Sequence, residues 1–254
     1  MGNPATNDTT KNAKRRGRPR KSQTADANPR DSIIAVALDL FRKQGYTRTS
    51  MSEIARQAGM DPSSIYYWFP SKEAIYESLF KREDTLLFLK TIAQAEASFA
   101  AKLYALTVYD VVRKCELPFD FIEVESIAQE SPDQFKSFFK DYTSTYRAFV
   151  HIIEEGIAAG EFCENEADER AILILSINEG LQHHFHAKHR GELILEAAGY
   201  AVRNHTPEEI GRMSALSVIP SICDESVDLD TVREEGRRLY FACIKNYDET
   251  LVDK

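Results

Sequence analysis

The sequence predicts an all-α protein, with a basic N-terminal arm, a three-helix head built on a helix-turn-helix, and a larger helical body. Three observations carry this. Apolar residues recur at helical spacing in segment after segment, and no convincing strand pair interrupts them. Ser, Thr and Asp caps, prolines and glycines punctuate those segments where helices begin and end. Residues 48–76 fit two short helices and a third helix start around one tight turn, the arrangement of a helix-turn-helix. At 254 residues, 43% hydrophobic and 28% charged, the chain is long enough to bury a sizeable core in one or two domains.

Charge is distributed unevenly. The net charge of −8 would argue against nucleic acid. Residues 1–80, however, hold 13 Lys and Arg against 8 Asp and Glu, and the remainder holds 19 against 32. A basic front on an acidic body orients a protein on a polyanion.

Residues 1–28 show no apolar periodicity and are expected to be disordered in isolation. Within them lies KRRGRPRK, from Lys14 to Lys21. Its core resembles the AT-hook, a Pro-stiffened backbone that lies in a narrow A·T-rich minor groove, and the resemblance implies that Arg16, Arg18 and Arg20 reach into such a groove. A merely basic tail has the same composition.

From Pro29 to Gln44, Ile34, Ala37, Leu38 and Phe41 recur at i, i+3, i+4 and i+7, and Gly45 ends the run. Ser50 with Glu53 spells a capping box for a short helix with Ile54, Ala55 and Ala58 on its apolar side. Gly59 supplies the left-handed residue that ends it. Asp61 and Pro62 then start a second helix to about Phe69, with Ile65 and Phe69 on one face. Ser71 opens a helix expected to continue to near Lys90.

The residues Gly45-Tyr46, Thr49, Glu53-Ile54-Ala55, Ala58-Gly59, Ile65-Tyr66, Trp68-Phe69-Pro70 and Ser71-Lys72-Glu73 form an ordered set. It resembles the DNA-binding domain of the tetracycline-repressor (TetR) family over roughly residues 30–80. The resemblance implies a domain over residues 29–76 that reads double-stranded DNA, with Ser63, Ser64 and Tyr67 offered to the major groove. Trp68, Lys72 and Thr49 would then touch phosphates, and Tyr66 would be semi-buried support. Two positions depart from the family pattern. Asp61 stands where Ser or Thr is common, and Pro62 where lysine is frequent, so carry-over is doubtful at both.

The body, residues 77–254, reads as helices over 93–114, 119–129, 132–159, 166–189, 207–222 and 229–249. Loops are marked at Leu117-Pro118, Ser131-Pro132, Gly160-Glu161 and Asn204–Pro207. Thr206-Pro207-Glu208-Glu209 repeats the capping-box logic. The Gly156–Phe162 run also resembles a turn between body helices of the family. The segment 190–205 is longer than the usual family connection, and its role is open. Body aromatics are mostly core, but an effector site is expected among them. Its candidates are Phe138 and Tyr142, with the polar Asn178 and Gln182 beside them, and they suit a small hydrophobic or aromatic ligand.

Other chemistry finds little support. The four cysteines, Cys115, Cys163, Cys223 and Cys243, lack metal spacing and read as reduced thiols. His183, His184, His186 and His189 include pairs one turn apart, but no further ligand completes a set, so no metal is expected. No P-loop, dinucleotide glycine motif, GxSxG or HExxH is present, which argues against an enzyme and against a bound cofactor. No apolar run approaches a membrane span, and the basic N-terminus lacks the apolar core of a secretory signal, so a cytoplasmic, nucleoid-associated protein with no membrane partner is expected. The sequence thus reads as a homodimeric, ligand-released repressor paired through 166–189 and 207–249. An activator, a ligand-independent regulator or an architectural A·T-rich DNA-binding protein are the alternatives.

Overall fold

The computed structural model describes residues 28–79, 82–117, 120–130 and 132–252. The arm with Arg16, Arg18 and Arg20 lies outside the described residues, as do Pro118, Phe119 and Ser131 of the expected loops and helices. Twelve α-helices account for most of the described chain, and the only β pairing among those residues is an isolated antiparallel bridge between Phe162 and Cys223.

Helix α1 spans Pro29–Gln44, capped by Asn28, whose Oδ1 accepts from the Arg30 amide at 3.1 Å. Its buried face is Ile33, Ala37, Leu40 and Phe41, one notch round from the expected set, because Ile34 and Leu38 are only half-buried. Helix α2, Met51–Gln57, starts at Ser50, whose hydroxyl accepts from the Glu53 amide at 3.2 Å. Only half of the expected capping box closes. The Glu53 carboxylate instead accepts from Gln44 Nε2 at 3.0 Å, tying α2 to the end of α1. Gly59, at φ +71°, makes the left-handed turn that lets the chain reverse into the next helix.

Helix α3 is shorter than expected: only Ile65–Trp68 is α-helical. The expected start at Pro62 gives way to a turn closed by the Ser64 amide on the Asp61 backbone carbonyl at 2.9 Å. Pro62 has no amide to donate, and two serines in a row compete for local backbone groups. Ile65 and Phe69 are both fully buried, as their spacing requires.

The helix expected from Ser71 to Lys90 is two helices, α4 (Lys72–Glu77) and α5 (Arg82–Gln94). The break begins at Ser78, whose hydroxyl donates to the Ile75 carbonyl at 2.6 Å in place of a continuing turn. Helix α6, Phe99–Glu116, starts later than expected because Ser98 caps it, its hydroxyl accepting from the Ala101 amide and donating to Glu235 at 2.5 Å. Then come α7 (Phe121–Glu130), a single 3-10 turn Pro132–Gln134, α8 (Lys136–Ala158) and α9 (Ala167–Arg190). The 190–205 segment contains one short helix, α10 (Ile194–Ala197). Helix α11 (Pro207–Val218) opens with the complete capping box of Thr206 and Glu209, and α12 (Leu229–Val252) ends the described chain.

Helix α6 is the axis of the body. It is buried along almost its whole length, with α8, α9, α11 and α12 packed around it. A second apolar cluster joins the head to the body. Ile33, Phe41, Ile54, Ile65, Phe69 and Tyr76 of the head pack with Phe121 and Val124 of α7 and with Phe135 and Phe138 at the start of α8. The head is therefore seated on α7 by continuous core rather than hung from a linker. No described helix is long and apolar enough to cross a membrane.

Candidate functional site

The head presents α3 to solvent by its polar and aromatic side. Ser63 and Ser64 are exposed and Tyr67 is 85% exposed, its ring edge-on to Trp68 at 5.2 Å between centroids. A tyrosine this bare on a rigid turn presents a large contact surface at small entropy cost. Tyr66 is 53% exposed, so the expectation of semi-buried support is corrected: its ring stands outward beside Tyr67.

Two expected phosphate contacts face inward instead. Thr49 is only 2% exposed, and its hydroxyl donates to the Gly45 carbonyl at 2.9 Å. This bond secures the turn between α1 and α2. Lys72 folds back under the same turn. Its ammonium donates to the carbonyls of Tyr46 and Thr49, both at 2.8 Å, and lies 4.0 Å from the centre of the Tyr46 ring. Burial pulls the Lys72 ammonium below its ordinary pKa, against the pull of Glu73 and Glu123.

The α1–α2 turn is also held from the body. Glu123 of α7 accepts from both the amide and the hydroxyl of Thr47 at 3.0 Å. Arg48 faces Glu192 of the 190–205 segment at 3.9 Å, and Glu192 is paired in turn with Arg190 at 2.5 Å. The Ser137 amide at the start of α8 donates to Glu77 of α4 at 2.8 Å. The Arg48–Glu192 pair, exposed on both sides, brings the 190–205 segment up to the head.

Beneath α7 lies a cavity of about 70 Å³, walled by Tyr109 and Lys114 of α6, Phe121 of α7, and Phe138, Asp141 and Tyr142 of α8 among others. Phe138 and Tyr142 both line it. Asn178 and Gln182 do not: both are fully buried behind the wall. Asn178 donates to Asp110 at 2.7 Å and accepts from Ser214 at 2.5 Å. Gln182 accepts from the Phe121 amide at 2.9 Å and donates to the Lys114 carbonyl at 3.1 Å, fixing the start of α7 against α6 and α9.

The chemistry of that wall centres on Lys114, only 5% exposed. Its ammonium lies 2.9 Å from Asp110 and 3.6 Å from Glu179, and 4.7 Å from the centre of the Phe121 ring. Burial raises the Glu179 carboxyl above the usual range, Lys114 pulling it back and Asp110 pushing it further. Sequence reading missed this group, although a signal was present: Asp110 and Lys114 stand at i and i+4 on a helix whose residues from Leu103 to Val112 are otherwise nearly all apolar.

Among the histidines, His183 pairs with Asp120, and His189 Nδ1 lies 2.8 Å from the Phe185 carbonyl. Burial pushes the His186 imidazole down to about 4, so it is neutral at physiological pH. Cys115 and Cys243 are buried, Cys223 is partly so, and Cys163 is exposed.

A short exposed helix behind a glycine turn, seated on a helical body with its own small cavity, defines a helix-turn-helix regulatory protein. Residues 33–79 match the model of bacterial regulatory proteins of the tetR family, and residues 90–198 match the C-terminal region of QacR-like proteins. The chain belongs to the TetR family. The HTH-type transcriptional regulator RutR of Escherichia coli K12 is 34% identical over 62 residues, 24% of this chain and 29% of RutR. The biofilm operon icaADBC HTH-type negative transcriptional regulator IcaR of Staphylococcus aureus strain Newman is 40% identical over 52 residues, 20% of this chain and 28% of IcaR. The matched stretches thus span less than a third of these relatives. The ketosteroid transcriptional regulator KstR2 of Mycobacterium tuberculosis shares the fold, with a TM-score of 0.59 at 17% identity over 78% of this chain and 96% of that one.

Proposed function

We propose that this protein is a cytoplasmic transcriptional repressor, without catalytic activity, that binds a near-palindromic operator as a homodimer and releases it when a small molecule enters the body. The observation that carries this is the direct line from cavity to head. Phe121 walls the cavity, and two residues further along α7 the Glu123 carboxylate holds the head at Thr47. The matched negative regulator IcaR supports repression rather than activation.

The cavity volume, about 70 Å³, is well below the roughly 300–1,000 Å³ of sites for drug-sized ligands. A hydrophobic or aromatic effector therefore displaces Phe121, Phe138 or Tyr142 on entry, and movement of Phe121 carries Glu123 and the head with it. Such a ligand switches the protein only because it binds the displaced conformation better than the resting one. Dimerisation is assigned to the apolar residues left exposed on adjacent helices: Ile172, Leu173 and Ile177 of α9 with Met213 and Leu216 of α11. The basic arm would add minor-groove contacts beside the head.

Tyr67→Ala tests the assignment of α3 as the reading helix. We expect operator affinity to fall by roughly 5- to 100-fold, the range for loss of a base contact, while affinity for random duplex changes about twofold or less. Footprinting on the upstream region supplies the operator, as one protected palindrome. Equal losses on operator and random DNA, or protection that merely tracks A·T content, would overturn the reading.

A further inference from the structure

Far from the α7 cavity, the two C-terminal helices form a second recess. Helices α11 and α12 both pack on α6, yet they leave a groove between them, whose lining includes Met213 and Leu216 of the face assigned above to dimerisation. Gly236 of α12 permits the close approach: a Cβ there would lie 2.7 Å from the Tyr104 side chain. The groove floor is therefore Tyr104 of α6. At one side it adjoins a pocket of about 150 Å³ walled by Tyr104, Val108, Tyr240 and Phe241, with Arg212 and Arg237 at its edge.

The recess mixes both signs of charge, with Glu209, Asp230 and Glu234 in the groove and Glu208 on the pocket wall beside its arginines. Arg203, Arg212, Arg233 and Arg237 all line the groove. Arg203 is paired with Glu209 at 3.2 Å and Arg233 with Asp230 at 3.2 Å. Arg212 and Arg237 make no ion pair among the described residues, although Glu208 shares the pocket wall and Glu234 the groove. Arg237 lies over the Phe241 ring at 5.7 Å. Tyr104 lines both the groove and the pocket; it is 2% exposed, and its hydroxyl has no hydrogen-bond partner among the described residues. Burial raises that hydroxyl above its ordinary pKa, and Arg212, Arg233 and Arg237 pull it part of the way back. A buried hydroxyl left unsatisfied is costly, and a ligand that bonds it recovers that cost.

We propose that this recess is a second ligand site, specific for a small aromatic carboxylate. The carboxylate accepts from the Tyr104 hydroxyl and from the two unpaired guanidinium groups, whose planar forks match its geometry. The ring fills the adjoining apolar pocket, and a cavity of about 150 Å³ is the size that accommodates benzene. Arg237, stacked on Phe241, joins the polar and apolar halves of the site.

The test uses the full chain and sodium benzoate, followed by titration calorimetry, with benzamide and benzylamine as probes of the same ring without the anion. Saturable benzoate binding is expected, at least tenfold tighter than either control. Arg212→Gln and Arg237→Gln should each weaken it roughly tenfold or more. Tyr104→Phe keeps the ring against Gly236 and removes only the hydroxyl, and should weaken binding several-fold with the helical circular dichroism unchanged. Absence of saturable binding to folded protein overturns the proposal. So does equal affinity for benzamide, or benzoate affinity unaffected by both arginine changes. Loss of binding in Tyr142→Phe with the arginine variants intact would place benzoate in the α7 cavity, and would equally overturn it.

Discussion

Replacing Lys114 with methionine is expected to cost about 3–5 kcal/mol of stability, the penalty for leaving buried carboxylates without their cation. Methionine fills most of the volume of the lysine stem, so the loss reports charge rather than a cavity. Asp110, 2.9 Å from the ammonium and itself buried, keeps only the Asn178 amide, and Glu179 loses its nearest positive charge. The same Asp–Lys pair at i, i+4 on a solvated helix would contribute about 0.2–0.5 kcal/mol, so burial decides the size of the effect. The sign with pH follows from Glu179. Burial already raises its carboxyl above the ordinary value, so the fold holds that proton more tightly than the unfolded chain does. The stability this contributes is present below the unfolded carboxylate pKa and is lost as pH rises through the higher folded value. Without the ammonium, the Glu179 carboxyl moves further in the same direction. Urea unfolding of wild type and Lys114→Met should therefore show a gap that is smallest near pH 5 and widens toward pH 8. A gap that stays flat, or narrows as pH rises, would mean that Lys114 does not balance these charges.

Lys114 also marks where sequence reading stops. The helices of the head were legible because most boundaries are written in local chemistry: Gly45, Ser50, Gly59 and Ser71 act on their own neighbours. Where two local signals compete, the outcome was not legible. Pro62 and Asp61 spell a helix start, yet the adjacent serines and the missing proline amide favour a turn, and α3 begins three residues later. Ser78 fits the middle of a long helix, but its hydroxyl bonds the Ile75 carbonyl and the helix ends there. In the body, the aromatic stretch on α8 pointed to Phe138 and Tyr142, and both line the cavity. Asn178 and Gln182 were misread because polarity on an apolar face signals a partner without saying whether that partner is a ligand or another helix. Here it is Asp110, Ser214 and the backbone of α6 and α7. Glu123 carried no signal, since a surface carboxylate becomes a brace only when folding brings the head to it across 76 residues of chain.

The Lys72→Met variant should separate a phosphate contact from a structural brace, and the geometry favours the brace. The ammonium donates to the Tyr46 and Thr49 carbonyls at 2.8 Å and faces the Tyr46 ring at 4.0 Å, so two of its three donors are spent inside the head. Hydrogen bonds from a charged group contribute about 1.5–3 kcal/mol each. Sharing one desolvated ammonium makes the pair less than additive, which places the expected loss at about 2–4 kcal/mol, a fall of several degrees in melting temperature. The turn from Gly45 to Ser50 sets where α2 starts relative to α1, and α2 positions α3. Loosening it should weaken operator and random-duplex binding together, with the salt dependence keeping its slope. A lysine that only neutralised a phosphate would behave differently on both counts. Its removal would leave the melting temperature unchanged and flatten the log–log salt slope by about 0.9. Thermal unfolding beside DNA titrations at three salt concentrations therefore decides between them: an unchanged melting temperature with a flattened slope would return Lys72 to the DNA, and a lowered one with the slope intact fixes it as the support on which the reading head is built.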